Sequence, residues 1–216
     1  MEDNDIIRLW QSYTKKLDDN LVLSRENAAA ITKLKIHSFL SSMKPYKIFS
    51  ILVGLAWVAW VDVLIISLFH IANPFFLVSA IMQVLLTKIA IGLYLYQLVL
   101  IHQTDVSEPV LNTQHKLARL KSSTIWVARI LFLQLPVWTT FYWNKSMLAN
   151  GNLLLYILQL VVTLFFTILA VWLFNNIRYE NRNKKWFGLI FNGQEWNPVI
   201  KSIELLHQIA DYRIEK

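Results

Sequence analysis

Residues 153–174 read LLLYILQLVVTLFFTILAVWLF, an apolar run without a single charge. As a helix it would measure ~33 Å at ~1.5 Å per residue, enough to cross the ~30 Å hydrocarbon core of a bilayer. Three further blocks of this kind lie upstream, at about 48–69, 75–101 and 125–143. The spacing therefore predicts an all-α fold, a four-helix transmembrane bundle made of two antiparallel hairpins, with short cytoplasmic amphipathic helices. The linker His70-Ile71-Ala72-Asn73-Pro74 leaves room only for a tight turn between blocks one and two.

Composition agrees. The 216-residue chain is 56% hydrophobic with a net charge of +7, and only 16% of its residues are charged. Soluble domains run near 45–50% apolar. In a membrane protein a basic balance reflects Lys and Arg that flank the spans and meet anionic headgroups, so no direct contact with nucleic acid is expected. The chain has no cysteine, which excludes disulfides, thiolate catalysis and Cys-based zinc sites. No cleavable signal is evident, because the first 47 residues are polar and the first apolar block is long. The first span is expected to serve as its own uncleaved insertion signal.

The positive charges set the orientation. Of the 21 Lys and Arg, 18 lie in segments 1–47, 102–124 and 175–216, and one lies in the turns 70–74 and 144–152. Basic residues stay on the cytoplasmic side, so both termini are expected there. Trp138, Tyr142 and Trp143 would then sit in the outer interfacial belt.

The polar segments divide further. Residues 1–47 read as a cytoplasmic cap of two helical pieces. Ile6, Trp10, Tyr13 and Leu17 form one apolar stripe on the first. Asp18-Asp19-Asn20 supplies turn chemistry, Ser24 an N-cap for the second piece, and Pro45 a break before the membrane. Ser107, Glu108 and Pro109 mark the start of a long helix, with a cytoplasmic extension over 108–124 that runs on into block three, where Pro136 should kink it. Asn150-Gly151 marks the second outer turn. The tail, 175–216, ends in an amphipathic helix over 198–213 capped by Asn197-Pro198, with Val199, Ile203, Leu206 and Ala210 on one face.

Three ionisable residues fall inside the blocks. Insertion scales assign about +2.5 to +3.5 kcal/mol to each such charge at a helix centre. Asp62 should lie ~10 Å and Lys88 ~20 Å from the outer ends of their helices. A lysine stem can bridge that gap. The pair reads either as a structural tie between the first two spans or as a proton or ion site. Arg129, about a turn from the cytoplasmic boundary, is expected to snorkel outward. Gln83, Thr87, Gln97, Gln134, Gln159, Thr163 and Thr167 are uncharged and suit interhelical hydrogen bonds.

Catalytic signatures are missing. His37, His70, His102, His115 and His207 show no ligand spacing, and no phosphate-cradling loop or nucleophile elbow occurs. No enzyme activity, metal or cofactor is expected. The Trp10–Leu17 stripe reads either as packing on the chain's own helix at Leu111, Leu117 and Leu120, or on the membrane surface, or as a docking face for a cytoplasmic protein.

Two motifs carry a resemblance. Leu9-Trp10-x-x-Tyr13-x-x-Lys16-Leu17 opens the chain, and Glu108-Pro109-x-Leu111-x-x-Gln114-x-Lys116-Leu117-x-x-Leu120-Lys121 precedes block three. With the four-span layout they resemble uncharacterised bacterial inner-membrane proteins often encoded beside extracytoplasmic-type sigma factors. The resemblance implies a membrane-bound regulator that holds a transcription factor through Trp10, Tyr13 and Leu17. The rival reading is a small transporter or channel component that uses Asp62 and Lys88. The bilayer is a partner on either reading; four spans enclose little pathway unless the chain oligomerises, so the transport reading implies a homo-oligomer.

Overall fold

A computed structural model describes residues 2–104, 110–143, 153–191, 193 and 196–214, with side chains over 7–24, 26–104, 112–143, 153–191, 193 and 196–205. The described residues form α1 (Glu2–Leu68), α2 (Pro74–His102), α3 (Val110–Phe132), α4 (Leu135–Thr140), α5 (Leu153–Asn176), a 3-10 turn (Tyr179–Asn181), α6 (Lys185–Phe191) and α7 (Asn197–Ile214). No strand occurs among them. Three helices, α1, α2 and α5, are long and apolar enough to cross a membrane.

α1 corrects the expected two-piece cap. It is one helix of 67 residues that passes through Asp18-Asp19-Asn20, Ser24 and Pro45 without interruption. Weak helix formers cost only ~0.5 kcal/mol each, less than leaving the backbone groups of two new helix ends unpaired. Proline removes one backbone hydrogen bond, at about 3 kcal/mol in a helix interior. Pro45 is tolerated because both of its flanks are packed. Leu40 and Met43 on one side and Lys47 on the other are fully buried.

Block three behaves in the opposite way. Its helix stops at Phe132, turns through Leu133 and Gln134, and resumes at Leu135 with Pro136 in the first turn of α4. Pro136 cannot donate to the Phe132 carbonyl, and the residues of α4 are at most half-buried, so packing there compensates for the lost bond less than it does around Pro45. The expected disturbance at Pro136 is an interruption of two residues, over which Gln134 keeps a right-handed helical backbone. It leaves α4 with 6 residues, too short to count as a crossing helix.

Asn73 caps α2. Its Oδ1 accepts from the Phe75 amide at 3.3 Å, and Pro74 takes the first helical position, where its missing N–H costs nothing. The Leu68 carbonyl accepts from the Ile71 and Ala72 amides, which closes the turn.

Three buried clusters hold the helices together. At the basal end Ile36, Leu40 and Met43 of α1 meet Leu100 and Ile101 of α2, Leu117 and Leu120 of α3 and Val199 of α7. Mid-bundle, Ile51, Val58 and Val61 pack on Ala80, Val84, Ile91 and Tyr94, with Val127 of α3. The third cluster joins Ile125, Leu173 and Ile177 to Phe187, Phe191 and Trp196, with the Phe187 and Phe191 rings stacked at 4.2 Å. The apolar run Trp186 to Phe191 that forms α6 went unnoticed in the sequence, masked by the basic residues before it.

Candidate functional site

The first site is the free arm of α1. Every described side chain from Ile7 to Ala28 is exposed, over ~30 Å of helix at ~1.5 Å per residue. Trp10 is 70% exposed, Tyr13 64% and Leu17 63%. The expected packing on Leu117 and Leu120 does not occur, because those two residues are already buried against Ile36, Leu40, Met43 and Val199. The side chains of Ile6 and Leu111, and residues Glu108 and Pro109, lie outside the described set.

The arm's stripe also points away from the bundle. The α1 residues that bury inward (Ile36, Leu40, Met43, Lys47, Ile51, Val58, Val61) recur at 3.6-residue spacing on one face. At 100° per residue, Trp10, Tyr13, Leu17 and Leu21 fall roughly 100° away from that face. The stripe is therefore not an extension of the core seam.

The second site is the ion pair. Lys88 Nζ donates to Asp62 Oδ2 at 3.1 Å, so the structure brings the two intramembrane charges together. The pair sits on the outside of the bundle, with the Lys88 side chain 57% exposed and that of Asp62 40%. It therefore lines no path between the helices. Lys88 stands at the midpoint of α2, about 20 Å from either end at ~1.5 Å per residue, farther than its stem can reach.

The third site is one that the sequence concealed. Lys47 is fully buried; its ammonium bonds Gln97 Oε1 and lies 5.1 Å from the Tyr94 ring centroid. Gln97 is itself fully buried, and its Nε2 has no hydrogen-bond partner among the described residues. Lys47 precedes the first apolar block by one residue and so passes for a flanking charge. The only hint was Gln97, a polar residue in an apolar run.

Arg129 does more than snorkel. Its Nε donates to the Ile177 carbonyl at 2.9 Å, just past the end of α5, and its guanidinium lies 5.3 Å from the Trp126 ring and 5.6 Å from the Phe174 ring. A cation at a helix C-terminus satisfies orphan carbonyls and opposes the macrodipole. Of the uncharged polar residues, Gln134 donates to Thr87 Oγ1 at 3.2 Å and Gln159 to the Thr139 carbonyl at 2.7 Å, both between helices. Thr163 and Thr167 instead bond carbonyls of their own helix. Among the described residues no three of His, Asp and Glu gather as metal ligands.

Comparison with protein families, curated proteins and solved structures yields no match to this chain.

Proposed function

We infer that the chain is a membrane-anchored binding protein that presents the arm of α1 to a cytoplasmic partner, as a regulator would. The observation that carries this reading is the exposure of Trp10, Tyr13 and Leu17 on a helix that is continuous with an apolar span. A helix that buries no apolar face gains little from its own propensity, and a partner groove that takes i, i+3 and i+7 anchors would supply what is missing. The resemblance noted above points to a sigma factor as that partner.

The anchor is read as four crossings in two antiparallel hairpins, with both termini cytoplasmic. α3 and α4 together run the length of α2. Leu117 and Leu120 meet Leu100 and Ile101 at one end, Gln134 meets Thr87 midway, and Thr140 Oγ1 meets Ser79 Oγ at 2.8 Å toward the other. α5 returns beside them, with Gln159 against Thr139 and the Ile177 carbonyl against Arg129. On this reading the broken third block is the fourth crossing. Transport through the Asp62–Lys88 pair is disfavoured, because the pair faces outward.

The test is affinity capture of the full chain from detergent-solubilised membranes, with a Trp10→Ala, Tyr13→Ala variant in parallel. A cytoplasmic protein held by the native chain and lost from the variant supports the docking reading. The same partners on both, or none on either, refutes it.

A further inference from the structure

The Asp62–Lys88 pair poses a problem that the single chain does not solve. Two charges meet within the apolar stretches of α1 and α2, on a face turned away from the protein, where the surrounding positions are apolar. Charged residues inside a membrane face a protein interior or a water-filled cavity, seldom lipid. Something polar must cover this pair.

The surface around it is shaped for a close approach. Gly92 lies one turn from Lys88 on the same face of α2, and Ala59 lies one turn from Asp62 on α1; both are exposed. A Cβ built at Gly92 meets no atom within 4 Å, so this glycine is not demanded by packing inside the chain. By contrast, a Cβ at Gly54, on the buried side of α1, would come 3.1 Å from Ile91 Cγ1. Small residues at an outer face let a second backbone draw near in lipid.

The geometry points to a second copy of this chain as the occupant, docked on the α1–α2 face about a two-fold axis along the membrane normal. The patch carries one acid and one base, so it is complementary to itself. The Lys88 ammonium and the Asp62 carboxylate are already bonded and hence share one depth, and an axis along the normal preserves depth. Asp62 and Lys88 of one protomer would therefore meet the partner's Lys88 and the partner's Asp62 at the same level and close a ring of four alternating charges. An isologous interface supplies this match by symmetry, whereas an unrelated helix would have to carry an acid and a base at the right level.

Because the chain has no cysteine, the test has no background. The full-length protein with Gly92→Cys, in lipid vesicles under mild oxidation, should form a covalent dimer. The same chain with Leu164→Cys, an exposed position on α5, should remain a monomer. In parallel, single-molecule photobleaching at falling protein-to-lipid ratio reads the monomer–dimer equilibrium of the cysteine-free chain. Gly92→Leu should weaken that dimer at least tenfold while the monomer still folds, since the added atoms meet open space. Asp62→Asn should weaken it too, and the double swap Asp62→Lys, Lys88→Asp should restore it. A monomer at every dilution overturns the proposal, as does a dimer indifferent to Gly92→Leu or cross-linking at Leu164→Cys equal to that at Gly92→Cys.

Discussion

Replacing Arg129 by leucine isolates one contact that ties two helices. The guanidinium makes a 2.9 Å bond to the Ile177 carbonyl and lies within 6 Å of the Trp126 and Phe174 ring centroids. A hydrogen bond to a charged group contributes about 1.5–3 kcal/mol. Each cation–π contact adds about 0.5–1 kcal/mol at a partly exposed site. The sum for Arg129→Leu is a loss of about 2.5–5 kcal/mol, of which the apolar leucine returns about 1 kcal/mol. At ~2–4 °C per kcal/mol for a chain of this size, the unfolding midpoint should fall by about 3–16 °C. The assay is thermal unfolding of detergent-purified protein, followed by intrinsic Trp fluorescence. Trp126 lies against the guanidinium, so it reports on the contact directly. Arg129→Lys should recover under half of the loss, because an ammonium keeps the charge but not the planar fork. A midpoint for Arg129→Leu within 1 °C of the native value would refute the claim that this residue fastens the end of α5.

Other substitutions follow from the same contacts. Gly54→Leu pushes new atoms against Ile91 and should cost about 1–3 kcal/mol, visible as a lowered midpoint in the same melt, whereas Gly92→Leu should leave the melt of the detergent monomer unchanged. Ile36→Ala opens a cavity in the basal cluster and should cost about 2–5 kcal/mol. Trp10→Ala with Tyr13→Ala touches only exposed side chains and should shift stability by less than about 0.5 kcal/mol, so its effect on partner capture can be read as docking rather than unfolding. Pro136→Ala restores the missing donor to the Phe132 carbonyl and should raise helical content by far-UV circular dichroism; an unchanged spectrum would place the cause of the break elsewhere.

Much of the architecture is legible in the sequence. The apolar blocks mark α1, α2 and α5 because crossing a bilayer is decided by length and hydropathy, both of which are properties of a contiguous segment. The Asn73-Pro74 cap and the Asn197-Pro198 start are equally local. The candidate site is legible in a different sense. Asp62 and Lys88 stand out because a charge in an apolar run is costly wherever it points, yet the run cannot say that the pair points outward. Lys47 is invisible for the converse reason: one residue outside a block, it looks solvated until α2 lays Tyr94 and Gln97 against it.

The two prolines show where the tertiary structure takes over. Each removes one backbone bond, and sequence alone treats them alike, as breakers. Pro45 lies between fully buried Leu40, Met43 and Lys47, and packing on both sides outweighs the lost bond, so α1 continues. Pro136 lies in a stretch whose residues are at most half-buried, and the same defect interrupts the helix. That the chain is helical and embeds in a membrane is written along the chain, because hydropathy and capping act locally. Which breaks are healed, which charges meet and which apolar face is left bare depend instead on what neighbouring helices bury.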